Sequence, residues 1–339
     1  MPVTISQNSH EAVVFLETTG DRHAQIVGGL TALERRVREC AKQGAKRVVV
    51  AAAQVEVARA LPIPVEFVAP GSAAPEGARV ERADVIAGVE LVDEASRQKA
   101  EWALIRGMNK SYEGPVDKLI NWRFSMRITR WLARRSMGVT PNHVTMTAIV
   151  IGLAAAALAM RGGYVLIAIA GVMLEVNSIL DSVDGELARL RYQFSKLGQA
   201  LDNMSDDIVD NVFIAAVGYG LGGVWMWLAL AAAGGRVFVS LTVYLAVWRK
   251  LGNADVMAYR WWFETDVATV DEQFDPKAIT TWLRSFGRRD TYVFVWMLAC
   301  VAAFPYWVVC HGLVIAAVNV LLFLAQSTVF RAKAWTRRK

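Results

Sequence analysis

Cysteine and histidine are scarce in this chain. Cys40, Cys300 and Cys310 share no metal-ligand spacing, and two of them lie in apolar stretches where a small buried thiol is ordinary, so no disulfide framework follows. His10, His23, His143 and His311 are scattered, which removes support for a histidine-based metal centre. The net charge is +6, yet lysine and arginine form no compact tract. Many of them border apolar stretches, as expected beside anionic headgroups, and this weighs against a nucleic-acid partner. No internal repeat is visible in either half. Met1 to His10 is polar and leads into a soluble-looking segment, so no cleaved signal peptide is expected. What the chain does have is 55% hydrophobic residues and 12 tryptophans, a composition that points to a membrane protein.

The first hundred residues alternate β-rich and helix-like runs. Ala12 to Leu16, Arg47 to Val50, Val65 to Val68 and Val85 to Val89 read as strands, Leu30 to Lys42 and Glu94 to Arg106 as helices, and Pro70 to Gly77 as a surface loop. A small α/β domain over residues 1–108 is predicted. Asn109 to Pro115 then reads as a polar linker into a membrane domain over residues 109–339. From Leu119 to Leu132, apolar and aromatic residues alternate with arginines at helical spacing, as in a helix lying in the headgroup plane.

Six stretches reach the roughly twenty residues that cross a bilayer. They fall near Thr140 to Met160, Tyr164 to Leu187, Gly198 to Leu221, Val224 to Trp248, Thr291 to Cys310 and Gly312 to Phe330. Gly234-Gly235-Arg236 leaves the fourth as one helix or two half-helices. With the amino terminus inside, Arg189, Arg191 and Lys196 share one cytoplasmic loop. Arg249, Lys250, Arg260, Lys277, Arg284, Arg288 and Arg289 share another, and Arg331 to Lys339 form the tail. Only Arg161 faces outward among the loops. Both termini are therefore expected in the cytoplasm. The stretch from Leu251 to Asp290 mixes charges with Trp261, Trp262 and Phe263 and reads as interfacial helix.

The chemistry sits where the second span meets the third. Asp181, Asp184, Gly185 and Ala188 share one helical face, and Gly198, Asp202 and Asp206 share another. Two such helices facing each other bring four carboxylates together. A lone aspartate at mid-bilayer costs about 2.5–3.5 kcal/mol, and clustered carboxylates repel, so a cation is expected among them. All-oxygen ligands suit Mg²⁺, Mn²⁺ or Ca²⁺. Solvated side chains in an acidic membrane-edge loop are the plainer reading, and the helical spacing weighs against it.

These residues resemble the CDP-alcohol phosphotransferase signature D-x2-D-G-x2-A-R-x8-G-x3-D-x3-D. Every specified position is matched, from Asp181, Asp184, Gly185, Ala188 and Arg189 to Gly198, Asp202 and Asp206. The resemblance covers about residues 110–339, with Thr140-Pro141-Asn142 resembling the family's entry to the first span. It implies an α-helical membrane fold of six transmembrane helices, a juxtamembrane amphipathic helix, a cytoplasm-facing active site and a homodimer. It further implies that Asp181, Asp184, Asp202 and Asp206 hold two Mg²⁺ or Mn²⁺ ions, that Asp206 also acts as general base, and that Gly185, Ala188, Arg189 and Gly198 shape the CDP site. The implied reaction moves a phosphoalcohol from a CDP-alcohol donor to a hydroxyl acceptor with release of CMP. CDP-diacylglycerol is the first donor considered and CDP-inositol the alternative. Inositol phosphate, glycerol phosphate, serine and a lipid hydroxyl all stay open as acceptors.

Other residues carry weaker signals. Glu175 and Asn177 lie behind Asp181 and either support it or face packing, while Asp207 and Asp210 extend the acidic run. Arg127, Arg130, Arg134, Arg135, Lys196, Arg249, Lys250 and Arg260 either bind an acceptor phosphate or anchor headgroups. His143 reads as an interfacial side chain. Ile26 to Arg35, with Lys46 to Val50 behind it, resembles a degenerate sugar-phosphate nucleotidyltransferase domain, although Glu17 to Arg22 lacks the glycine-rich nucleotide loop. Two other function classes remain: a cation or proton transporter lined by the carboxylates, and a noncatalytic membrane scaffold.

Overall fold

The computed structural model describes residues 13–55, 60–108, 114–135, 138–251 and 287–336. The polar opening, most of the Asn109 to Pro115 linker, and most of the Leu251 to Asp290 stretch expected as interfacial helix, with Arg260, Trp261, Trp262, Phe263, Lys277 and Arg284, lie outside them. The chain forms two compact units. One comprises Met1–Asn109, Arg130–Gly138 and Leu190–Tyr192; the other comprises Lys110–Thr129, Val139–Arg189 and Gln193–Lys339.

The first unit is built on a four-stranded sheet, β1 (Val13–Glu17), β4 (Arg47–Ala51), β5 (Val65–Val68) and β6 (Arg79–Arg82), in the order β5-β4-β1-β6. All three pairings are parallel, with Val14 opposite Val48 and Val48 opposite Val65. The continuous apolar runs of β1 and β4 follow from burial on both faces. Val14, Leu16, Val48 and Val50 pack with Leu33, Val37 and Cys40 of α1 (Ala32–Lys42), while Phe15 and Val49 pack with Val68, Ala74 and Ala78. Thr31 caps α1, its hydroxyl accepting from the Glu34 amide at 3.1 Å. Helix α2 (Glu94–Gly107) opens on a reciprocal Asp93–Ser96 cap.

Two ribbons were only partly visible in the sequence. β2 (Ile26–Val27) and β3 (Leu30–Thr31) form a hairpin closed by Gly28 and Gly29, whose φ values of +57° and +86° suit a tight two-residue turn. The fully buried Arg35 donates to the carbonyls of Val27 at 2.6 Å and Gly28 at 2.8 Å, and burial lowers its pKa to about 10. Gly28 and Gly29, within the stretch that resembles a degenerate nucleotidyltransferase domain, thus form a turn fastened from within. Val85 to Val89, expected as one strand, is β7 (Val85–Ile86) and β8 (Val89–Glu90) around a turn at Ala87 and Gly88. Glycine and alanine there interrupt the β-branched run.

The second unit is helical. A π-helical turn, Asp117–Asn121, leads into α3 (Trp122–Arg135), whose residues from Arg130 onward count with the first unit. It is followed by α4 (Pro141–Met160), α5 (Tyr164–Leu190), α6 (Lys196–Leu221), α7 (Gly223–Leu251), α8 (Arg289–Val301) and α9 (Tyr306–Thr336). Small residues such as Ala155, Ala156, Ala159 and Ala170 pack inside with Phe213, Val217 and Trp296. Large apolar residues face outward, among them Val165, Ile169 and Val172 of α5, Leu241 and Leu245 of α7, and Val314, Val318 and Leu321 of α9. Small side chains inside and large ones outside is the pattern of a bundle solvated by lipid.

Among the described residues, four helices are long and apolar enough to cross a membrane: Pro141–Met160, Tyr164–Leu190, Gly223–Arg249 and Tyr306–Thr328. Helix α6 is long enough but carries Asp202, Asp206, Asp207 and Asp210. Helix α8 has 13 residues and extends about 20 Å at 1.5 Å per residue, short of the hydrocarbon core. The expected spans at Thr291 to Cys310 and Gly312 to Phe330 are displaced. Ala303 adopts φ +60° and Pro305 precedes the next helix, so the break falls before Tyr306, and Cys310 and His311 lie within α9. Helix α7 runs unbroken through Gly234 and Gly235, because two helix-interior glycines cost only about 1 kcal/mol each and backbone groups in lipid must stay paired.

Candidate active site

Helix α5 brings Asp181 and Asp184 to one face, and α6 presents Asp202 to them. One carboxylate oxygen from each of these three residues lies within 4.8 Å of the other two, and Asp184 is buried. Thr145 of α4 donates its hydroxyl hydrogen to Asp184. Behind them Glu186, also buried, accepts from Ser125 and Thr129 of α3, each at 2.6 Å. These two hydrogen bonds fix the last turns of α5 against the juxtamembrane helix, and they explain the serine and threonine on an otherwise basic and apolar helix.

Asp206, the fourth carboxylate, stands outside that group. Its Oδ1 lies 2.9 Å from Arg289 Nη1, which also lies 3.3 Å from Asp181 Oδ2. Arg289 Nη2 donates to Asn177 Oδ1 at 2.8 Å, and Asn177 Nδ2 donates to the Ala148 carbonyl, also at 2.8 Å. Asn177 therefore links α4, α5 and α8. Arg289 reads from the sequence as part of a cytoplasmic loop; the one clue to its position is that it lies two residues before the apolar stretch that begins at Thr291. Glu175, one helical turn before Ser178, is buried, and neither carboxylate oxygen has a hydrogen-bond partner among the described residues.

Two cavities meet the carboxylates. The larger, about 480 Å³, is lined by Asp184 and Asp202, by all four of Gly185, Ala188, Arg189 and Gly198, and by Asn142, Thr145 and Phe194 among others. A Cβ at Gly198 would come within 2.7 Å of Ser195 Oγ and 3.0 Å of Asn142 Oδ1, so a side chain there would displace the cavity wall. The Nε of Arg189 is buried without a hydrogen-bond partner among the described residues. Arg189 also lines the cavity, and a guanidinium there suits an anionic ligand. The smaller cavity, about 230 Å³, is lined by Asp181 and Asp206 with Asp117, Ser178, Ser182, Arg288, Arg289 and Asp290. The four signature carboxylates thus divide in pairs between two neighbouring cavities.

Several basic residues considered for an acceptor phosphate have other partners. Arg130 Nε and Arg134 Nε lie 3.1 and 2.9 Å from Glu101 Oε2, Arg127 donates to the Arg123 carbonyl, and Arg135 lies over the Trp131 ring. The side chains of Lys196 and Lys250, like Arg260, lie outside the described residues. His143 completes the cap of α4 with Thr140 and is no ligand to the carboxylate group.

Three converging carboxylates and a cavity lined by the signature residues make up the candidate site. Residues 138–281 match the CDP-alcohol phosphatidyltransferase family. Among curated proteins it is similar to the bifunctional IPC transferase and DIPP synthase of Thermococcus kodakarensis, 35% identical over 130 residues, which is 38% of this chain and 28% of that protein. The protein of the same name from Aquifex aeolicus is 32% identical over 146 residues, 42% of this chain and 32% of the relative. The archaetidylinositol phosphate synthase of Pyrococcus horikoshii is 37% identical over 101 residues, 30% of this chain and 50% of the relative. The chain thus spans no more than half the length of these relatives.

Proposed function

We propose that this chain is a CDP-alcohol phosphotransferase that moves a phosphatidyl-type group from a lipid CDP donor to the hydroxyl of an anionic polyol, in phospholipid synthesis. The observation that carries this reading is the pairing of two cavities across one set of carboxylates. The larger cavity takes the CDP part of the donor, with Arg189 facing phosphate and Gly185, Ala188 and Gly198 leaving room for it. The smaller takes the acceptor, where Arg288 and Arg289 face an anionic group and Asp206 faces the attacking hydroxyl. Inositol phosphate is the acceptor that the name of the Pyrococcus relative, an archaetidylinositol phosphate synthase, favours. CDP-diacylglycerol is the donor tested first, and CDP-inositol is the alternative.

Asp181, Asp184 and Asp202 fit a hard divalent ion, Mg²⁺ or Mn²⁺, by donor type and mutual distance, with Asp206 able to contribute to a second. When bound, such an ion supplies positive charge against the donor's pyrophosphate. Asp206 takes the proton of the acceptor hydroxyl as that oxygen forms a bond to the phosphorus carrying the alcohol group. The phosphoanhydride bond breaks, and CMP leaves with the bonding electrons. No covalent protein intermediate is required.

In this reading α6 and the short α8, met by local thinning of the bilayer, complete a six-span domain over residues 109–339, with α3 in the headgroup plane, both termini and the site on the cytoplasmic side, and two copies forming a homodimer. The α/β domain over residues 1–108 is a noncatalytic, nucleotidyltransferase-like partner. The test is mass spectrometry of products from the purified chain with Mg²⁺, each donor, and inositol phosphate, glycerol phosphate or serine. CMP and the condensed product should appear together only when donor, acceptor and metal are all present. Turnover that survives exhaustive chelation, or CMP release independent of any acceptor, overturns the reading.

A further inference from the structure

Arg236 is a cation in the middle of an apolar helix, with 6% of its surface exposed. A charge so placed is costly and requires partners. Its Nη2 lies 3.6 Å from Asp210 Oδ2 and donates to the Tyr292 hydroxyl at 3.2 Å, with the guanidinium carbon 5.4 Å above the Tyr292 ring. Tyr292 in turn donates its hydroxyl hydrogen to Asp210 Oδ2. The other oxygen of Asp210 lies 3.4 Å from Arg289 Nε. A chain of alternating charge therefore runs from α7 through α6 to the first residue of α8. Arg289 lines the smaller cavity; Arg236, Asp210 and Tyr292 line neither cavity.

Arg289 is attracted toward Asp181 and Asp206 on one side and Asp210 on the other. Asp210 is the counterweight that lies outside the cavities, and it can act only if its own carboxylate is fixed and its charge partly balanced. Tyr292 fixes it and Arg236 balances it. The geometry points to Arg236 as a positioning residue: acting through Asp210 and Tyr292, it keeps the Arg289 guanidinium shared between Asp210 and Asp206 at the wall of the smaller cavity, where it faces the anionic part of the acceptor. This inference rests on the acceptor assignment made above for the smaller cavity.

Inorganic phosphate is the probe, with affinity measured by thermal shift on the purified full chain in detergent, and CDP affinity measured alongside. Wild-type protein should bind phosphate. Arg236→Met should weaken phosphate at least about tenfold while leaving CDP affinity unchanged, a difference of about 1.4 kcal/mol confined to one cavity. Arg236→Lys should recover part of the loss. Tyr292→Phe, which removes only a hydroxyl, keeps the test decisive if Arg236→Met fails to fold, and it should act in the same direction. Unchanged phosphate affinity in the folded variants, a parallel loss of CDP affinity, or no phosphate binding by wild type would each overturn the inference. Phosphate binding with the expected losses, in a chain that releases no CMP from any donor and acceptor pair, would sustain the positioning role while removing the reaction proposed above.

Discussion

Glu101 in the α/β unit and Asp184 in the helical unit are both buried carboxylates, but their surroundings differ. Glu101 meets three guanidinium groups, Arg97 at 2.9 Å, Arg130 at 3.1 Å and Arg134 at 2.9 Å. Asp184 meets the Thr145 hydroxyl and two further aspartates. The first arrangement supplies its own counter-charge and is complete as folded. The second gathers like charges on helices α5 and α6, with Arg289 3.3 Å from Asp181, and suits the added cation proposed above. Buried charge that is neutralised from within serves the fold, whereas buried charge that is not marks a place where something binds.

The largest expected effect breaks the helical side of that comparison. Asp206→Asn should lower turnover by about 10²–10⁴-fold, because the amide cannot take the acceptor's proton, while donor affinity is largely kept. Asp184→Asn should lose turnover and metal-dependent donor binding together. Both are measured by CMP release and donor titration across a range of Mg²⁺ concentrations. Near-normal turnover in Asp206→Asn would remove its role as base.

Next comes the α/β side. Glu101→Gln leaves three arginines without their shared carboxylate, and removing one partner of a buried pair costs about 3–5 kcal/mol. The thermal midpoint of the full chain should fall clearly, while turnover per folded molecule stays near wild type. An unchanged midpoint would show that the arginines are neutralised by solvent instead.

A smaller effect sharpens the contrast at the cavity. Gly198→Ala places a methyl group against Ser195 and Asn142, and overpacking of this kind costs about 1–3 kcal/mol. The donor KM should rise about tenfold, the change that corresponds to 1.4 kcal/mol, with the acceptor KM little affected. Equal changes in both would mean that the larger cavity is not a separate donor site.

The smallest effect concerns pH at the surface of the α/β unit. Hydrogen bonds from the Ser96 amide and hydroxyl lower the pKa of Asp93, the cap of α2. A depressed carboxylate contributes stability above its ordinary value of about 3.9 and loses it as pH falls through the lowered folded value. Asp93→Asn keeps the capping oxygen without the charge. The stability difference between wild type and variant, measured by thermal melts from pH 6 downward, should therefore narrow in acid. A constant gap would remove the charge contribution.

Much of the fold was legible because period and burial agree. The apolar runs of β1 and β4, the cap before α1 and the long apolar helices α4, α5 and α7 all lie close to where local pattern places them. The errors have local causes. Val85 to Val89 has strand composition but turns at Ala87 and Gly88, and the last two helices meet at Ala303 and Pro305 instead of beside Gly312, because hydropathy alone does not mark a turn inside an apolar stretch. At the site, Asp181, Asp184 and Asp202 were legible because 3.6-residue spacing places them on facing stripes. Arg289 was not, since its partners Asp181, Asp206 and Asp210 lie far from it in sequence and no periodicity joins α8 to α6. Arg236 was noticed only as an interruption, for the same reason.

The division of four carboxylates between two cavities has a thermodynamic consequence. Asp181 belongs both to the three-carboxylate group and to the wall of the smaller cavity, so a molecule bound on one side changes the electrostatic free energy of the other. By linkage, whatever factor the donor applies to acceptor affinity, the acceptor must apply to donor affinity. In the proposed reaction the two substrates are therefore not independent ligands, and one measured coupling constant should describe both orders of addition.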